Sequence, residues 1–273
     1  MIRSVNGRKR RIRNGWRLAS KSFSVIQSDR TLLLLPMFSA LSTLVAAALI
    51  FAPAGYYSIH DHSRAPLVIG AVAASYPFTF ISTFFGVAFV HVAQKSLVGE
   101  HADLKDGIAW ARTRLGSIAA WALLATIVGL LLRALERVRG GAVIERIVAA
   151  VVGAAWSLAT LFVVPILAVE GPGPIETLRR SAGLIRKRWG EGITGSFVIG
   201  SAFGLLMIPI AIVGVIGWTS FATSHVFGAV TLAVAAALFL VVMAAQTAVS
   251  QMFHVVLYDY ASEGVVQIGR AHV

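Results

Sequence analysis

The sequence contains no cysteine, and charged residues are scarce for its length. The absence of cysteine excludes disulfide bonds, a thiol nucleophile and any cysteine-ligated metal. Only 13% of the 273 residues are charged and 57% are hydrophobic, whereas a soluble domain usually carries about 25% charged residues. The composition therefore predicts a membrane protein rather than a series of soluble domains.

Acidic residues are the scarcer of the charged types, because 12 Asp and Glu stand against 24 Lys and Arg. A net charge of +12 raises the question of nucleic acid, but nucleic-acid binding needs a soluble basic face that an apolar chain does not offer. Basic residues of membrane proteins instead hold loops in the cytoplasm and contact anionic headgroups. We therefore predict membrane lipids as partners, and no nucleic acid.

Six apolar runs are long enough to cross a hydrocarbon core about 30 Å thick. They are Thr31–Pro53, a stretch within Pro66–Val92, Ser117–Leu132, about Ile147–Val169, Gly192–Trp218 and His225–Tyr258. The first run begins too late in the chain, and is too long, to be a cleaved signal peptide. The sequence therefore predicts an all-α integral membrane protein with about six transmembrane helices.

The distribution of Lys and Arg predicts the orientation of these spans. With the N-terminus inside, the four inner segments 1–30, 93–116, 170–191 and 259–273 hold 9, 4, 5 and 1 basic residues, and the outer loops hold 5. Basic residues favour the cytoplasmic side. We therefore expect both termini in the cytoplasm and place the protein in the cytoplasmic membrane of a prokaryote.

The basic inner segments resemble one another. A shift of 75 residues places ARTRLGSI (111–118) over RKRWGEGI (186–193), and a shift of 159 places KSFSVI (21–26) over RSAGLI (180–185). We interpret this as an inner amphipathic helix plus a helical hairpin, occurring three times at about 14–92, 100–169 and 174–258. Chance similarity among basic helical segments is the alternative. These units would form one membrane domain, 14–258, after a basic cytoplasmic tail, 1–13.

The third inner segment, 174–189, is predicted to be an amphipathic helix. Gly173 suits its N-cap and Pro174 its first position. Apolar residues recur at steps of three and four, and these are Ile175, Leu178, Ala182, Ile185 and Trp189. This pattern is typical of a helix in the membrane interface, with its apolar stripe facing acyl chains or the bundle and its cations facing phosphates. The predicted headgroup-binding residues of the three segments are Arg179, Arg180, Arg186, Lys187, Arg188, Arg112, Arg114 and Lys21.

Three stretches carry a family resemblance. The first is AAWSLATLFVVPILAVEGPGPIETLRRSAGLIRKRWGEGITG (154–195), the second is LYDYASEG (257–264), and the third is the opening NGWRLASKSFSVIQSDRTLLLLP. Together they resemble a family of multi-spanning prokaryotic membrane proteins known only as a domain of unknown function. The resemblance covers most of the chain and implies a six-helix membrane bundle. It implies no activity.

The resemblance ends after about Val266, within a C-terminal tail that we place at 259–273. The last six residues, IGRAHV (Ile268 to Val273), are what the start of a common sequencing adapter encodes. We therefore expect 268–273 to be an artefact and the natural tail to be missing, and we leave the segment out of the fold prediction.

Ionisable residues at the inner ends of spans are the candidates for chemistry. His91, His254 and Glu170 occupy such positions, and together they would be able to bind a metal or relay protons. The favoured interpretation is that they are interfacial residues that snorkel towards the headgroups or hydrogen-bond to the backbone. The sequence has no motif of a known hydrolase or phosphate loop, so we predict no catalytic residue, no metal and no cofactor. For Glu170 we expect a partner among Arg179, Arg180 and the other inner segments.

Transport is the alternative function. Pro77, Pro165 and Pro209 are expected to interrupt the second, fourth and fifth spans, and broken helices line substrate sites in transporters. Polar residues also cluster in the second and sixth spans, at 75–83 and 246–251. An intramembrane enzyme is a weaker alternative. The leading hypothesis is a non-enzymatic bundle whose cationic inner helices bind anionic lipid headgroups and organise lipids or a membrane protein partner.

Overall fold

A computed structural model of the chain describes residues 31–136 and 143–263. These residues form α-helices and no β-strand. In chain order the helices are α1 Thr31–His60, α2 Ala65–Leu97, α3 Leu104–Arg112, α4 Leu115–Glu136, α5 Val143–Ala159, α6 Val163–Val169, α7 Pro174–Ser220 and α8 His225–Glu263. The basic tail, Lys21 and the segment 268–273 lie outside the described residues.

Six helical stretches are long and apolar enough to cross a membrane. They are Thr31–His60, Ala65–Leu97, Leu115–Leu135, Ile147–Val169, Val198–Ser220 and His225–Asp259. Each coincides with one of the predicted spans, so the prediction of an all-α membrane protein with six spans is confirmed. The threefold repeat stays a prediction, because its first inner segment lies outside the described residues.

The helices pack as hairpins around α2. Helix α1 packs along α2, and α7 packs along α8, while α4 is followed by the broken helix α5–α6. Helix α2 also contacts α3, α4, α6 and α8, so it is central to the bundle. A helix that is hydrophobic on several sides is expected at the centre of a bundle, where neighbouring helices cover it.

The expected interruptions at proline are only partly found. Pro77 and Pro209 lie inside continuous helices, so the prediction that they break their spans was wrong. In a membrane, neighbouring helices and local adjustments can satisfy the backbone groups that proline frees. The fourth span does break, but at residues 160–162, and Pro165 follows in the first turn of α6. Proline is tolerated there because first-turn N–H groups have no partner within the helix.

The buried core lies at one end of the bundle, which we call the basic end. This end contains α3, the break at residues 160–162, α6, the first turns of α1, α4 and α7, and the last turns of α2 and α8. All of the largest fully buried side chains belong to it, and they are Phe89, Phe162, Phe253, Leu32, Leu35, Ile118, Ile166, Leu167, Met252, Leu257, Val87 and Val90. The opposite end, which we call the distal end, carries the loops 61–64 and 221–224.

Glycine allows α3 to lie directly on α2 at the basic end. A Cβ atom added to Gly107 would lie 2.9 Å from the carbonyl oxygen of Ala88 and 2.9 Å from Cγ2 of Val92. Real Cβ atoms do not approach other atoms so closely, so a larger residue at position 107 would force the two helices apart. Small residues have the same use in membrane helix packing generally.

Candidate functional site

The chain turns sharply between α6 and α7, at residues 170–173, which we call the elbow. Gly171 adopts a positive φ of 63°, a conformation that glycine reaches without steric cost. Gly173 is the N-cap of α7 and Pro174 is in its first turn, as predicted. The turn leaves carbonyl oxygens at the end of α6 without partners in a helix.

Side chains from the α3–α4 segment satisfy these carbonyl groups. Three of them donate hydrogen bonds: Trp110 Nε1 to Ala168 O at 2.9 Å, Arg114 Nη2 to Val169 O at 3.2 Å, and Ser117 Oγ to Gly171 O at 2.9 Å. The elbow is therefore held by residues more than fifty positions away in the sequence. In a membrane environment such side-chain bonds replace the water that would otherwise solvate the backbone.

Trp110 lies at the centre of the contact between the α3–α4 segment and the elbow. Its ring stacks on that of His91, with ring centroids 4.5 Å apart and an interplanar angle of 17°. The guanidinium carbon of Arg114 lies 4.0 Å from the centroid of the Trp110 ring, which is a cation–π contact. Partial burial lowers the pKa of the Arg114 guanidinium below its ordinary value. Arg114 is thus committed to the protein rather than to solvent.

Glu170 links the elbow to two further helices. Its carboxylate accepts a hydrogen bond from Tyr258 Oη in α8 at 3.0 Å and pairs with Arg180 in α7. Arg180 Nε also donates to Glu176 Oε1 at 2.8 Å, the i,i+4 pair that the sequence indicates. Arg180 is one of the partners expected for Glu170. The pairing with Tyr258 was not foreseen, because nothing in the sequence relates residues 88 positions apart.

The fourth span is joined to α7 by a buried hydrogen bond as well. The backbone N–H of Phe162, at the break before α6, donates to Ser181 Oγ at 3.0 Å. Both residues are fully buried. Because of this bond, the buried side of the first turns of α7 is formed by Thr177, Ser181 and Ile185, whereas Ile175 is 68% exposed. Of the predicted apolar stripe, Ile185 faces the bundle and Ile175 does not, and the amphipathic helix in the membrane interface stays a prediction.

The predicted headgroup-binding cations whose side chains the structure describes divide into two groups. Arg114 and Arg180 make the internal contacts described above. Arg112 is exposed, and the side chain of Arg179 is 79% exposed with only a distant ion pair to Glu176, at 3.9 Å. The side chains of Arg186, Lys187 and Arg188 lie outside the described residues.

The two histidines and Glu170 do not form one cluster. His91 stacks on Trp110, whereas His254 lies beside Phe253 with ring centroids 6.0 Å apart. Within residues 31–136 and 143–263, no group of three His, Asp or Glu side chains is placed to hold a metal ion. His91 and Glu170 therefore take part separately in the hydrogen-bonded junction at the basic end, and His254 contacts Phe253.

Six apolar helices, a core at one end and a polar junction at that end define a multi-pass helical membrane protein. The chain belongs to the family of unknown function DUF6159, whose model matches residues 72–268. No curated protein and no solved structure matches it. The resemblance noted in the sequence is thus confirmed as membership of an uncharacterised family.

Proposed function

We propose that the protein is a non-enzymatic membrane protein whose basic end binds anionic lipid headgroups, and that it organises lipids or a membrane protein partner there. The observation that carries the proposal is the exposure of Arg112 and Arg179 without a close partner, while Arg114 and Arg180 on the same two segments have partners within the protein. The junction thus uses two of its arginines to hold the fold and leaves two available to a ligand.

Exposed aliphatic side chains next to these cations support a lipid ligand. Ile175 lies one helical turn before Arg179 and is 68% exposed, and Leu115 follows Arg112 and is 43% exposed. Cations beside exposed apolar groups are typical of segments at the membrane interface, where headgroups and acyl chains meet. Each basic residue near an anionic leaflet contributes about 1 kcal/mol of attraction.

The polar stretch of the second span does not favour transport. Ser75, Thr79 and Thr83 each donate a hydrogen bond to a carbonyl of their own helix, four residues earlier, at 2.7–2.9 Å. Hydroxyl groups satisfied in this way are common in membrane helices and require no ligand. The proposal therefore keeps lipid binding ahead of transport and of an intramembrane enzyme. It places the basic end and both termini on the cytoplasmic side of a prokaryotic cytoplasmic membrane.

Retention of anionic lipid by the full-length protein tests the proposal. The protein is reconstituted in nanodiscs of phosphatidylcholine and phosphatidylglycerol, and the phosphatidylglycerol molecules retained per protein are counted by native mass spectrometry. The double variant Arg112→Gln/Arg179→Gln should lose about 2 kcal/mol of attraction, which is about thirtyfold in affinity. The matched control is Arg64→Gln/Arg133→Gln, which removes two exposed arginines at the distal end.

The control pair should retain the wild-type number of phosphatidylglycerol molecules. Raising the salt concentration should weaken wild-type retention, because exposed charges are screened within about 3 Å at 1 M. Equal retention by the wild type and by Arg112→Gln/Arg179→Gln would contradict the proposal. So would an equal loss in both double variants, because the effect would then reflect net charge rather than this surface.

A further inference from the structure

A row of polar side chains follows one face of α8 away from the elbow. Tyr258, His254, Gln251 and Thr247 are spaced by four, three and four residues, so they lie on the same side of the helix. We call these four residues the α8 stripe. It starts at the hydrogen bond between Tyr258 and Glu170 and ends eleven residues away, about 16 Å along the helix. That distance is about half of the hydrocarbon core.

The stripe coincides with a partly open side of an otherwise covered segment. Thr247, Gln251 and His254 are half-buried. The residues on most other sides of this part of α8 are buried, and they are Ala248, Val249, Met252, Phe253, Val255, Val256 and Leu257. The stripe is therefore the less covered side of a segment whose other sides are packed against the bundle.

One polar atom of the stripe has no partner among the described residues. Gln251 Oε1 is buried and accepts no hydrogen bond. By contrast, the hydroxyl group of Thr247 donates to Met243 O at 2.8 Å, and that of Tyr258 donates to Glu170. An enclosed polar group without a partner costs about 1–3 kcal/mol, so the position of Gln251 favours a ligand that can complete its hydrogen bonding.

We propose that the α8 stripe is a binding site for a neutral hydroxyl-bearing group, bound at Gln251. A hydroxyl group both donates and accepts, so it matches the amide of Gln251 and the imidazole of His254. The stripe contains no carboxylate, lysine or arginine, and a free ion at this depth would lack a counter-charge. Such a hydroxyl group can come from a small polyol in the water phase or from the glycerol of a neutral lipid.

Single cysteines test the proposal directly, because the chain has no cysteine of its own. Thr247→Cys is compared with Leu238→Cys, which replaces an exposed residue in the distal half of the same helix. Both variants are reconstituted in bilayers and treated with a small water-soluble methanethiosulfonate. Since only the thiolate reacts and ionisation needs water, we expect Thr247→Cys to react at least about tenfold faster than Leu238→Cys.

Protection identifies the source of the hydroxyl group. Glycerol added to the buffer, or diacylglycerol added to the bilayer, should slow labelling of Thr247→Cys in a saturable way. Protection by glycerol assigns a polyol site, and protection by diacylglycerol assigns a lipid site. Adding Gln251→Leu should abolish that protection. The single variant Gln251→Leu should be as stable to heat as the wild type, because it removes an unpartnered polar atom.

Two results would overturn the inference. Equal labelling of Thr247→Cys and Leu238→Cys would mean that the stripe faces lipid. Fast labelling without protection by either compound would mean that it is a water-filled crevice only. Neither result bears on Arg112 or Arg179, so a failure here is distinguishable from a failure of the proposed lipid-headgroup binding.

Discussion

The two ends of the bundle are built differently. At the basic end, helices from all three hairpins meet, aromatic rings stack, and side chains satisfy the backbone of the elbow. At the distal end, large apolar side chains are exposed, and Trp218 is 75% exposed. The close contacts there join neighbours within one hairpin, since a Cβ atom on Gly217 would lie 2.9 Å from the amide nitrogen of Leu232.

This difference follows from what holds helices together in a membrane. Lipid tails are as apolar as leucine, so apolar burial alone gives membrane helices little reason to associate. Association depends on close packing and on hydrogen bonds, and the chain concentrates both where its polar residues are, near the basic end. The distal halves expose aliphatic and aromatic side chains, which suit lipid as a solvent.

Among the variants that test this difference between the two ends, removal of the Trp110 ring should lower the free energy of unfolding the most. Trp110→Ala deletes the stack on His91, the contact with Arg114 and the hydrogen bond to Ala168 O. Large aromatic truncations in a core cost about 3–5 kcal/mol. The same truncation at Trp218 should change the free energy of unfolding little, because that ring is exposed. Reversible unfolding in mixed micelles measures the free energy of unfolding of both variants. Equal losses of stability would contradict the difference between the two ends.

Ser181→Ala should have the next largest effect. It leaves the buried N–H of Phe162 without its acceptor, and an unsatisfied buried donor costs about 1–3 kcal/mol. Ser201→Ala is the matched control, since Ser201 is exposed on the same helix. The midpoint of thermal unfolding should fall for Ser181→Ala and stay within error for Ser201→Ala. A stable Ser181→Ala would show that the break at residues 160–162 does not depend on α7.

Gly107→Ala tests the contact between α3 and α2. The added methyl group would collide with the Ala88 carbonyl oxygen, and overpacking of this kind costs about 1–3 kcal/mol. Gly116→Ala provides the control, because a Cβ atom there meets nothing within 4 Å and alanine favours the helix. Protease resistance in detergent should fall for the first variant and hold or rise for the second. The opposite order would place the tight packing elsewhere.

Glu170→Gln should have the smallest effect of the set. It removes the charge that pairs with Arg180 and accepts from Tyr258, and partly exposed pairs of this kind contribute about 1 kcal/mol or less. The control, Glu176→Gln, also weakens a pair with Arg180 but leaves the bond to α8 intact. We expect the Glu170 variant to lose more stability by chemical denaturation. If Glu176→Gln costs as much, the link to α8 contributes nothing measurable.

The sequence was enough to predict the six spans, because runs of apolar residues of this length have no other common explanation. It was also enough for the elbow, where Gly173 and Pro174 mark a helix start. It did not predict that Ser117, Ser181 and Tyr258 complete the junction. Their partners are a backbone carbonyl, a backbone N–H and a distant carboxylate, and a sequence carries no periodic signal for such pairings.

The basic residues show the same limit of prediction from the sequence. Composition assigns all of them to headgroups, but packing commits Arg114 to the carbonyl of Val169 and Arg180 to two glutamates. Among the predicted headgroup-binding residues whose side chains the structure describes, Arg112 and Arg179 are the exposed ones without a close partner, and they keep the predicted role as candidates. Charge counting therefore locates the candidate surface, and side-chain geometry decides which of its residues are available.

Distances between spin labels test the central claim, that the three hairpins are joined at the basic end and not at the distal end. In the cysteine-free chain, one double variant carries labels at Lys105 and Gly183, and the other at Asp61 and Thr223; all four positions are exposed. Double electron–electron resonance in nanodiscs should give a narrow distance distribution for the first pair and a broad one for the second. A narrow distribution for the pair at Asp61 and Thr223 would contradict the claim, because the distal ends would then be held together as firmly as the basic end.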